Sequence, residues 1–383
     1  MESNRVAEIK PFLVMDVLER AQAMERDGIH VVHLEVGEPD FEAPEPVREA
    51  AIRAVQEGRT HYTHSLGLLE LREAISGHYR RRYSVDVDPG RIIVTNGTSS
   101  AMTLAFAALL DPGDEVIITD PHYACYPTFI RLACGVPVPV RVDEVDGFQL
   151  RLEAVEDAIS PRTRAIVINS PSNPTGTLLS AERMAELASL GLPIISDEIY
   201  HGLVYANREH SILEFTDNAF VLNGFSKAYA MTGLRLGYLI APATAMRGLQ
   251  KLGQNLYICA NSVSQWAGIA ALEQCGPDVA RMRAVYDERR RFMLRRLRSM
   301  GFGIAVEPTG AFYVLANASR YSRDSLRLAF DILEHAAVGV TPGVDFGAGG
   351  EGYLRFSYAN SLEDIVEGLE RIERFLRERF GRG

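Results

Sequence analysis

Ser226-Lys227-Ala228-Tyr229-Ala230-Met231-Thr232-Gly233-Leu234-Arg235-Leu236-Gly237-Tyr238 sets a lysine eight residues ahead of an arginine, with hydroxyls, small residues and a glycine between them. Lysine is the common side chain that forms a Schiff base with an aldehyde. Arginine presents a fixed fork of donors that suits a phosphate. The two ends of pyridoxal phosphate (PLP), an aldehyde that carries a phosphate, would be met by such a pair. Taken alone, a lysine reads better as a solvated surface charge. The reading therefore depends on what lies on either side.

Outward from this stretch, between about Arg91 and Pro242, short apolar runs rich in Ile and Val recur at Ile92–Val94, Val116–Ile118, Ala165–Ile168, Ile194–Ile195, Phe220–Leu222 and Leu236–Ile240. Helical stretches such as Ser99–Leu110, Leu152–Ile159 and Ala181–Leu190 lie between them. Continuously apolar strands alternating with helices predict a mostly parallel sheet covered on both faces. Past about Asp278 a long amphipathic helix leads to strand-like segments near Gly310–Leu315 and Tyr353–Tyr358, and to helices over Ser325–Ala336 and Leu362–Leu376. That texture predicts a smaller α+β domain. The Arg-rich run Arg289–Arg298 reads as the wet face of the long helix, with Phe292, Met293, Leu294 and Leu297 covering the other side.

Open α/β sheets bind ligands at the carboxyl ends of their strands. Four polar segments follow predicted strands: Thr95-Asn96-Gly97-Thr98-Ser99, Asn169 to Gly176, Ser196-Asp197-Glu198-Ile199-Tyr200, and Asn223 to Lys227. They converge on one sheet edge, and Lys227 is among them. Gly97 to Ser100 offers backbone N–H groups and hydroxyls for a phosphate, or an ordinary helix cap. Asp197, at the end of an apolar strand, needs a partner if buried. A pyridinium nitrogen would serve, and a helix N-cap is the other reading. Tyr200 can aim its phenol at the same ligand. Asn173 can reach the phenolic oxygen of a ring, although Asn-Pro-Thr-Gly is also simply a turn. Tyr123 can stack on a planar group or fill a core. Arg355, flanked by apolar residues in Leu354-Arg355-Phe356, must be paired, and a substrate carboxylate fits its fork.

Composition narrows the class. The 383 residues are 47% apolar and 23% charged, ordinary for a globular enzyme, and the length suggests two domains or one large α/β domain with an appendage. A net charge of −10 argues against a nucleic-acid binder. Cys125, Cys134, Cys259 and Cys275 are scattered without a C-x-x-C pair, which fits reduced thiols in a cytoplasm. Met1–Lys10 has no apolar core of a signal peptide, and no run is long enough to span a bilayer. Gly347 to Gly352 spells G-x-G-x-x-G but precedes a strand rather than a helix, so it reads as a loop. His61 and His64 flank Tyr62 with no carboxylate or cysteine nearby, so no metal is expected.

With these residues assembled, the chain resembles the class I/II aminotransferases, PLP enzymes of fold type I, from about Val36-Gly37-Glu38-Pro39-Asp40-Phe41 to Arg355. The resemblance rests on Tyr62-Thr63 with Gly67, the Gly97–Ser100 loop, Pro121 with Tyr123, Ser172-Asn173-Pro174-Thr175-Gly176, Asp197-Glu198-Ile199-Tyr200, Ser226-Lys227 with Arg235, and Arg355. It implies a large PLP-binding domain over 46–277, with a mainly parallel seven-stranded sheet sandwiched by helices. It also implies a smaller α+β domain over 278–383, to which an N-terminal arm over 1–45 contributes. In that family pattern Lys227 is the Schiff-base lysine and proton shuttle, and Asp197 pairs with the ring nitrogen. Tyr200 and Asn173 bind the ring oxygen, Tyr123 stacks, and Thr98, Ser99, Ser226 and Arg235 hold the phosphate. Arg355 binds the substrate carboxylate with help from Asn173 and the Gly37 backbone. Tyr62 reaches the phosphate in the other subunit of a homodimer.

One departure bears on substrate. Some aspartate-using relatives carry a lysine within the phosphate loop, whereas this chain reads Thr98-Ser99-Ser100. Neutral, aromatic or broad amino-donor use is the expectation, with an L-amino acid and a 2-oxo acid as substrates in a ping-pong reaction. A PLP-dependent β-eliminating C–S lyase would share Lys227, Asp197 and Arg355. A non-catalytic PLP-binding protein is the third reading.

Overall fold

The computed structural model describes residues 3–381, so the ends of the N-terminal arm and of the C-terminal region lie outside the described residues, Met1 and Glu2 of the leader reading included. Strands run in chain order β1 Val32–His33, β2 Ile92–Thr95, β3 Glu115–Asp120, β4 Val136–Arg141, β5 Thr163–Asn169, β6 Ile194–Asp197, β7 Ala219–Gly224, β8 Gly237–Ile240, β9 Tyr313–Asn317, β10 Val338–Gly339, β11 Thr341–Pro342 and β12 Tyr353–Ser357. Seven of them form one sheet in the order β2-β8-β7-β6-β5-β3-β4. Within it only β8 runs antiparallel to its neighbours.

The apolar runs explain this sheet. Alternate residues of a strand point to opposite faces. On β5, β6 and β7, Ile166, Ile168, Ile194 and Val221 enter one core, and Ala165, Val167, Ile195, Phe220 and Leu222 enter the other. With helices over both faces, neither face can be polar, so the strands read as unbroken apolar runs. Burying each such aliphatic side chain contributes roughly 1.5–3 kcal/mol relative to exposure. The apolar-run reading misses β4, because Val136-Pro137-Val138-Pro139-Val140-Arg141 is half exposed and punctuated by prolines. It is an edge strand, the place where a missing N–H costs least.

A second layer forms around β11-β12-β9, an antiparallel three-stranded sheet, and β1 paired in parallel with β10. Helices Ser325–Ala336 and Leu362–Phe380 cover it. Helix Gly276–Ser299 enters the same core through Met282, Tyr286, Met293, Leu294 and Leu297. The wet-face reading of its arginines needs correction at two positions. Arg289 and Arg290 are buried. Arg289 forms a two-bond fork to Asp40, with both distances 2.8 Å, and Arg290 pairs with Asp287 and donates to Pro308 O. Asp40 and the Pro308 carbonyl lie outside this helix and are invisible to its periodicity. The Gly347–Gly352 stretch is a pair of short turns leading into β12, and Gly349 N–H closes it against Asp120 Oδ1 at 2.7 Å.

Candidate active site

The carboxyl ends of β2, β5, β6 and β7 lie along one edge of the large sheet, as their parallel registers require. A cavity of about 210 Å³ opens there. Gly37, Thr98, Ser99, Tyr123, Asn173, Asp197, Tyr200, Lys227 and Arg355 all line it, although they are spread over more than three hundred positions of chain.

Lys227 follows β7 on a turn, and its Nζ donates to Gly37 O at 2.6 Å. Burial pushes the amine down to about 8, against a partial counter-pull from the Glu38 carboxylate. A lysine held there is neutral, and nucleophilic, far more of the time than a surface lysine. Asp197 ends β6 and is followed by a turn rather than a helix, so it caps none. Burial pushes its carboxyl up to about 6, while hydrogen bonds from Tyr126 Oη (2.8 Å) and Ile199 N–H (3.3 Å) pull the other way. A buried carboxylate with two donors is still short of a cation. Asn169, in register with Asp197, fixes this corner: its Nδ2 donates to Asp197 O and its Oδ1 accepts from Asn173 N–H.

At the opposite end, helix Thr98–Leu109 starts directly after β2. Its N-cap is Gly97 at φ 84°, and no side chain caps it. The first amides of the helix are therefore left without partners and create positive potential. Arg235 stands against this end. A Cβ built on Gly97 would fall 2.6 Å from Arg235 Nη2, so only glycine lets the guanidinium come so close. Arg235 Nη1 donates to Thr232 O at 2.9 Å. Ser226 is buried beside Lys227 at the end of β7.

Arg355 comes from β12 in the other layer. Its Nη1 donates to Asn173 Oδ1 at 2.8 Å, and its Nη2 donates to Glu35 O at 2.5 Å and Thr341 Oγ1 at 3.1 Å. The guanidinium lies 4.2 Å from the Tyr313 ring centre and 4.9 Å from that of Phe346. It is 3% exposed, and its Nε has no hydrogen-bond partner. A fork held this rigidly between two aromatic faces is set to receive a carboxylate.

Tyr62 does not join this group. It is 78% exposed and lies outside the cavity. His61 and His64 are exposed as well. The sequence reading also missed several wall residues. Tyr313 Oη meets Tyr200 Oη at 2.9 Å and sits where a side chain at residue 37 would be, since a Cβ on Gly37 would fall 1.7 Å from it. Phe12, Val14, Met15, Val36 and Met102 form the apolar wall. Phe12 to Met15 belong to the start of helix Leu13–Arg26, whose Leu13 and Val14 amides are held by Asp345. Nothing local in the sequence marks these residues. Tyr126 had the faint signal of an aromatic three positions after Tyr123.

A reactive amine, a buried carboxylate, an anion cradle and a carboxylate fork gathered at one sheet edge are the equipment of an amino-group transferase, and the comparisons with known proteins agree. The model of the family described as aminotransferase class I and II matches residues 29–372. A (5-formylfuran-3-yl)methyl phosphate transaminase from Methanocaldococcus jannaschii is 43% identical, over 98% of this chain and 100% of that protein. The aspartate aminotransferase of Thermus thermophilus, solved with maleate, superposes with a TM-score of 0.94 at 39% identity, over 98% of this chain and 100% of that one. A Methanococcus jannaschii structure, described as similar in its active site to kynurenine aminotransferases, gives a TM-score of 0.91 at 43% identity, over 98% and 100%. The chain belongs to the aminotransferase class I and II family. It is an aminotransferase of PLP fold type I, and nothing in these comparisons favours the lyase or the non-catalytic reading.

Proposed function

We propose that this cavity binds PLP through Lys227 and transfers the amino group of neutral, apolar or aromatic L-amino acids to 2-oxo acids. The observation that carries this reading is the enclosure of Lys227, Asp197 and Arg355 in one cavity whose remaining walls are largely apolar. The residues fit the cofactor chemically. Asp197, short of a cation, suits a pyridinium nitrogen. Tyr123 offers an aromatic face, and Tyr200 with Asn173 offers hydrogen bonds to the ring oxygen. The uncapped start of Thr98–Leu109, with Thr98, Ser99, Ser226 and Arg235, suits the phosphate. When bound, PLP supplies an electron sink that stabilises negative charge at the substrate Cα.

The chain's own residues supply the rest. Asp197 would pair with the ring nitrogen and favour its protonated form, the condition for that sink. Lys227, whose amine burial pushes down to about 8, would carry the proton at its Nζ near neutral pH. Arg355 and Asn173 fix the substrate by its carboxylate, with the Gly37 carbonyl close to Lys227 Nζ. Phe12, Val14, Met15 and Met102 exclude water and receive the side chain. Apart from Lys227 and Arg355, no cationic side chain lines the cavity among the described residues, so a second substrate carboxylate would go unpaired within one chain.

The region 46–277 serves as the PLP-binding body, and 278–383 with the arm 1–45 as the cover. The parallel pairing of β1 with β10 supports grouping the arm with the C-terminal region. Exposed Tyr62 belongs to the neighbouring site of a homodimer. The unbridged thiols of Cys125, Cys259 and Cys275 accord with a cytoplasmic setting, and no helix among the described residues is long and apolar enough to cross a membrane. A half-reaction tests the function. Phenylalanine alone should shift the absorption of the bound cofactor, and 2-oxoglutarate should restore it, without release of ammonia. Ammonia and pyruvate from a cysteine-like donor would replace transamination with elimination.

A further inference from the structure

Tyr313 stands where the two layers of the molecule meet, and it touches both ends of the cavity. It opens β9, which pairs antiparallel with β12 so that Tyr313 lies opposite Ser357 and Leu315 opposite Arg355. Tyr313 and Arg355 are therefore diagonal neighbours on one face of the sheet, within reach for an aromatic and a long side chain. The guanidinium lies 4.2 Å from the ring centre. From the other layer, Tyr200 meets the same ring edge-on, with 5.7 Å between centres and 81° between planes, and the two hydroxyls are 2.9 Å apart. Gly37 leaves room for this, because a Cβ there would fall 1.7 Å from Tyr313 Oη. Both phenols are buried, so each hydroxyl needs a partner.

Each phenol has one proton, so only one of the pair can donate across this contact. If Tyr200 donated to Tyr313, it would have no proton left for a ring oxygen in the cavity, and the Tyr313 proton would be stranded. Among the described residues, the Tyr313 proton has only Tyr200 Oη to go to. The opposite direction satisfies both, and an unsatisfied buried donor is the costlier state. Arg355 favours the same direction. Its cation faces the Tyr313 ring, draws electron density from it and makes this hydroxyl the stronger donor. Burial pushes both phenols up, and at Tyr313 the Arg355 charge is the largest pull against it.

We propose that Tyr313 is a positioning residue for the cofactor end of the site: its hydroxyl donates to Tyr200 Oη and so commits the Tyr200 proton to the ring oxygen. The inference rests on the reading of this cavity as a PLP site with Tyr200 at that oxygen. Hydrogen bonds in a chain polarise one another, so Tyr200 becomes a stronger donor than a lone phenol. A donor aimed at the ring oxygen favours the state in which that oxygen carries uncompensated negative charge, the deprotonated, high-pH form of the lysine-bound cofactor. The same ring braces Arg355, so one residue ties the grip on the cofactor to the fork for the substrate.

Absorption of the PLP-loaded enzyme followed against pH, without substrate, tests this. Tyr313→Phe keeps the ring against Arg355 and removes only the hydroxyl. The pH midpoint of the bound cofactor's absorption should rise by about 0.4–1 pH unit, the scale of one neutral hydrogen bond. Titration of PLP into apoenzyme should show a Kd weaker by about two- to tenfold. Tyr200→Phe should raise the midpoint at least as far. Adding Tyr313→Phe to Tyr200→Phe should move it no further, because Tyr313 acts through Tyr200, whereas a merely structural role would add its own effect. The proposal is overturned if the Tyr313→Phe midpoint stays at the wild-type value or falls, or if its shift persists in the Tyr200→Phe background. Failure of the PLP reading looks different. A wild type that takes up no cofactor overturns both readings, and a loaded wild type whose midpoint ignores Tyr313 overturns this one alone.

Discussion

Arg355→Lys isolates the carboxylate fork from its charge. Arg355 makes three hydrogen bonds, to Asn173 Oδ1, Glu35 O and Thr341 Oγ1, and its flat guanidinium sits between Tyr313 and Phe346. A lysine keeps the positive charge, but its single ammonium cannot meet those acceptors and a substrate carboxylate in one plane. A hydrogen bond to a charged group is worth about 1.5–3 kcal/mol. Loss of one such bond to the substrate corresponds to roughly a ten- to hundredfold rise in KM for both the amino acid and the 2-oxo acid. The cofactor makes no demand on Arg355, so its affinity should stay within about threefold, since half a kcal/mol is the ordinary scale for a change at an uninvolved position. Steady-state kinetics with several donors, together with fluorescence titration of PLP into apoenzyme, read the two quantities independently. If the variant lost PLP while keeping a normal KM, Arg355 would be a cofactor or structural residue and the assignment of the substrate end would be wrong.

The other expectations follow from the same geometry. Borohydride reduction of the loaded enzyme and peptide mapping should place the cofactor on Lys227, and Lys227→Ala should lower turnover by at least about 10²–10⁴, the worth of a positioned proton carrier; a label on Lys10 or Lys251 would refute this. Asp197→Ala should lower kcat by about 10²–10³, the scale of removing one preorganised charge, and near-normal turnover would mean that its buried carboxylate is only structural. Because burial lowers Lys227 to about 8, the neutral amine gains population as pH rises towards that value, so cofactor uptake by apoenzyme should accelerate and level off above pH 8; a midpoint near 10.5, the ordinary lysine value, would show that the amine is not buried in solution. Mixing Lys227→Ala with a Tyr62 variant that binds PLP poorly should restore some activity, because a reassorted dimer has one site carrying both defects and one carrying neither. No recovery after verified subunit exchange, or a fully active monomer, would remove Tyr62 from the shared site.

The sequence alone determined the strands that build the site and the residues at their ends. Ile92–Val94, Ala165–Ile168, Ile194–Ile195 and Phe220–Leu222 are legible because a sheet covered on both faces leaves no polar position in a strand, and a parallel sheet brings the following residues to one edge. Asp197 and Lys227 were visible for that reason, and Gly97 because a helix starts directly after a strand there. Tertiary structure alone decided the remainder. Tyr313 and the Phe12–Met15 wall reach the cavity only by packing between layers, and their local sequence is that of ordinary core or helix. Arg289 and Arg290 look like wet arginines until Asp40 and the Pro308 carbonyl fold against them. β4 escaped because an edge strand tolerates the prolines that argue against a strand elsewhere. Periodicity reports what each segment buries. It carries no information about which distant segment the buried face will meet, and that pairing sets the burial of Lys227 and the fork of Arg355.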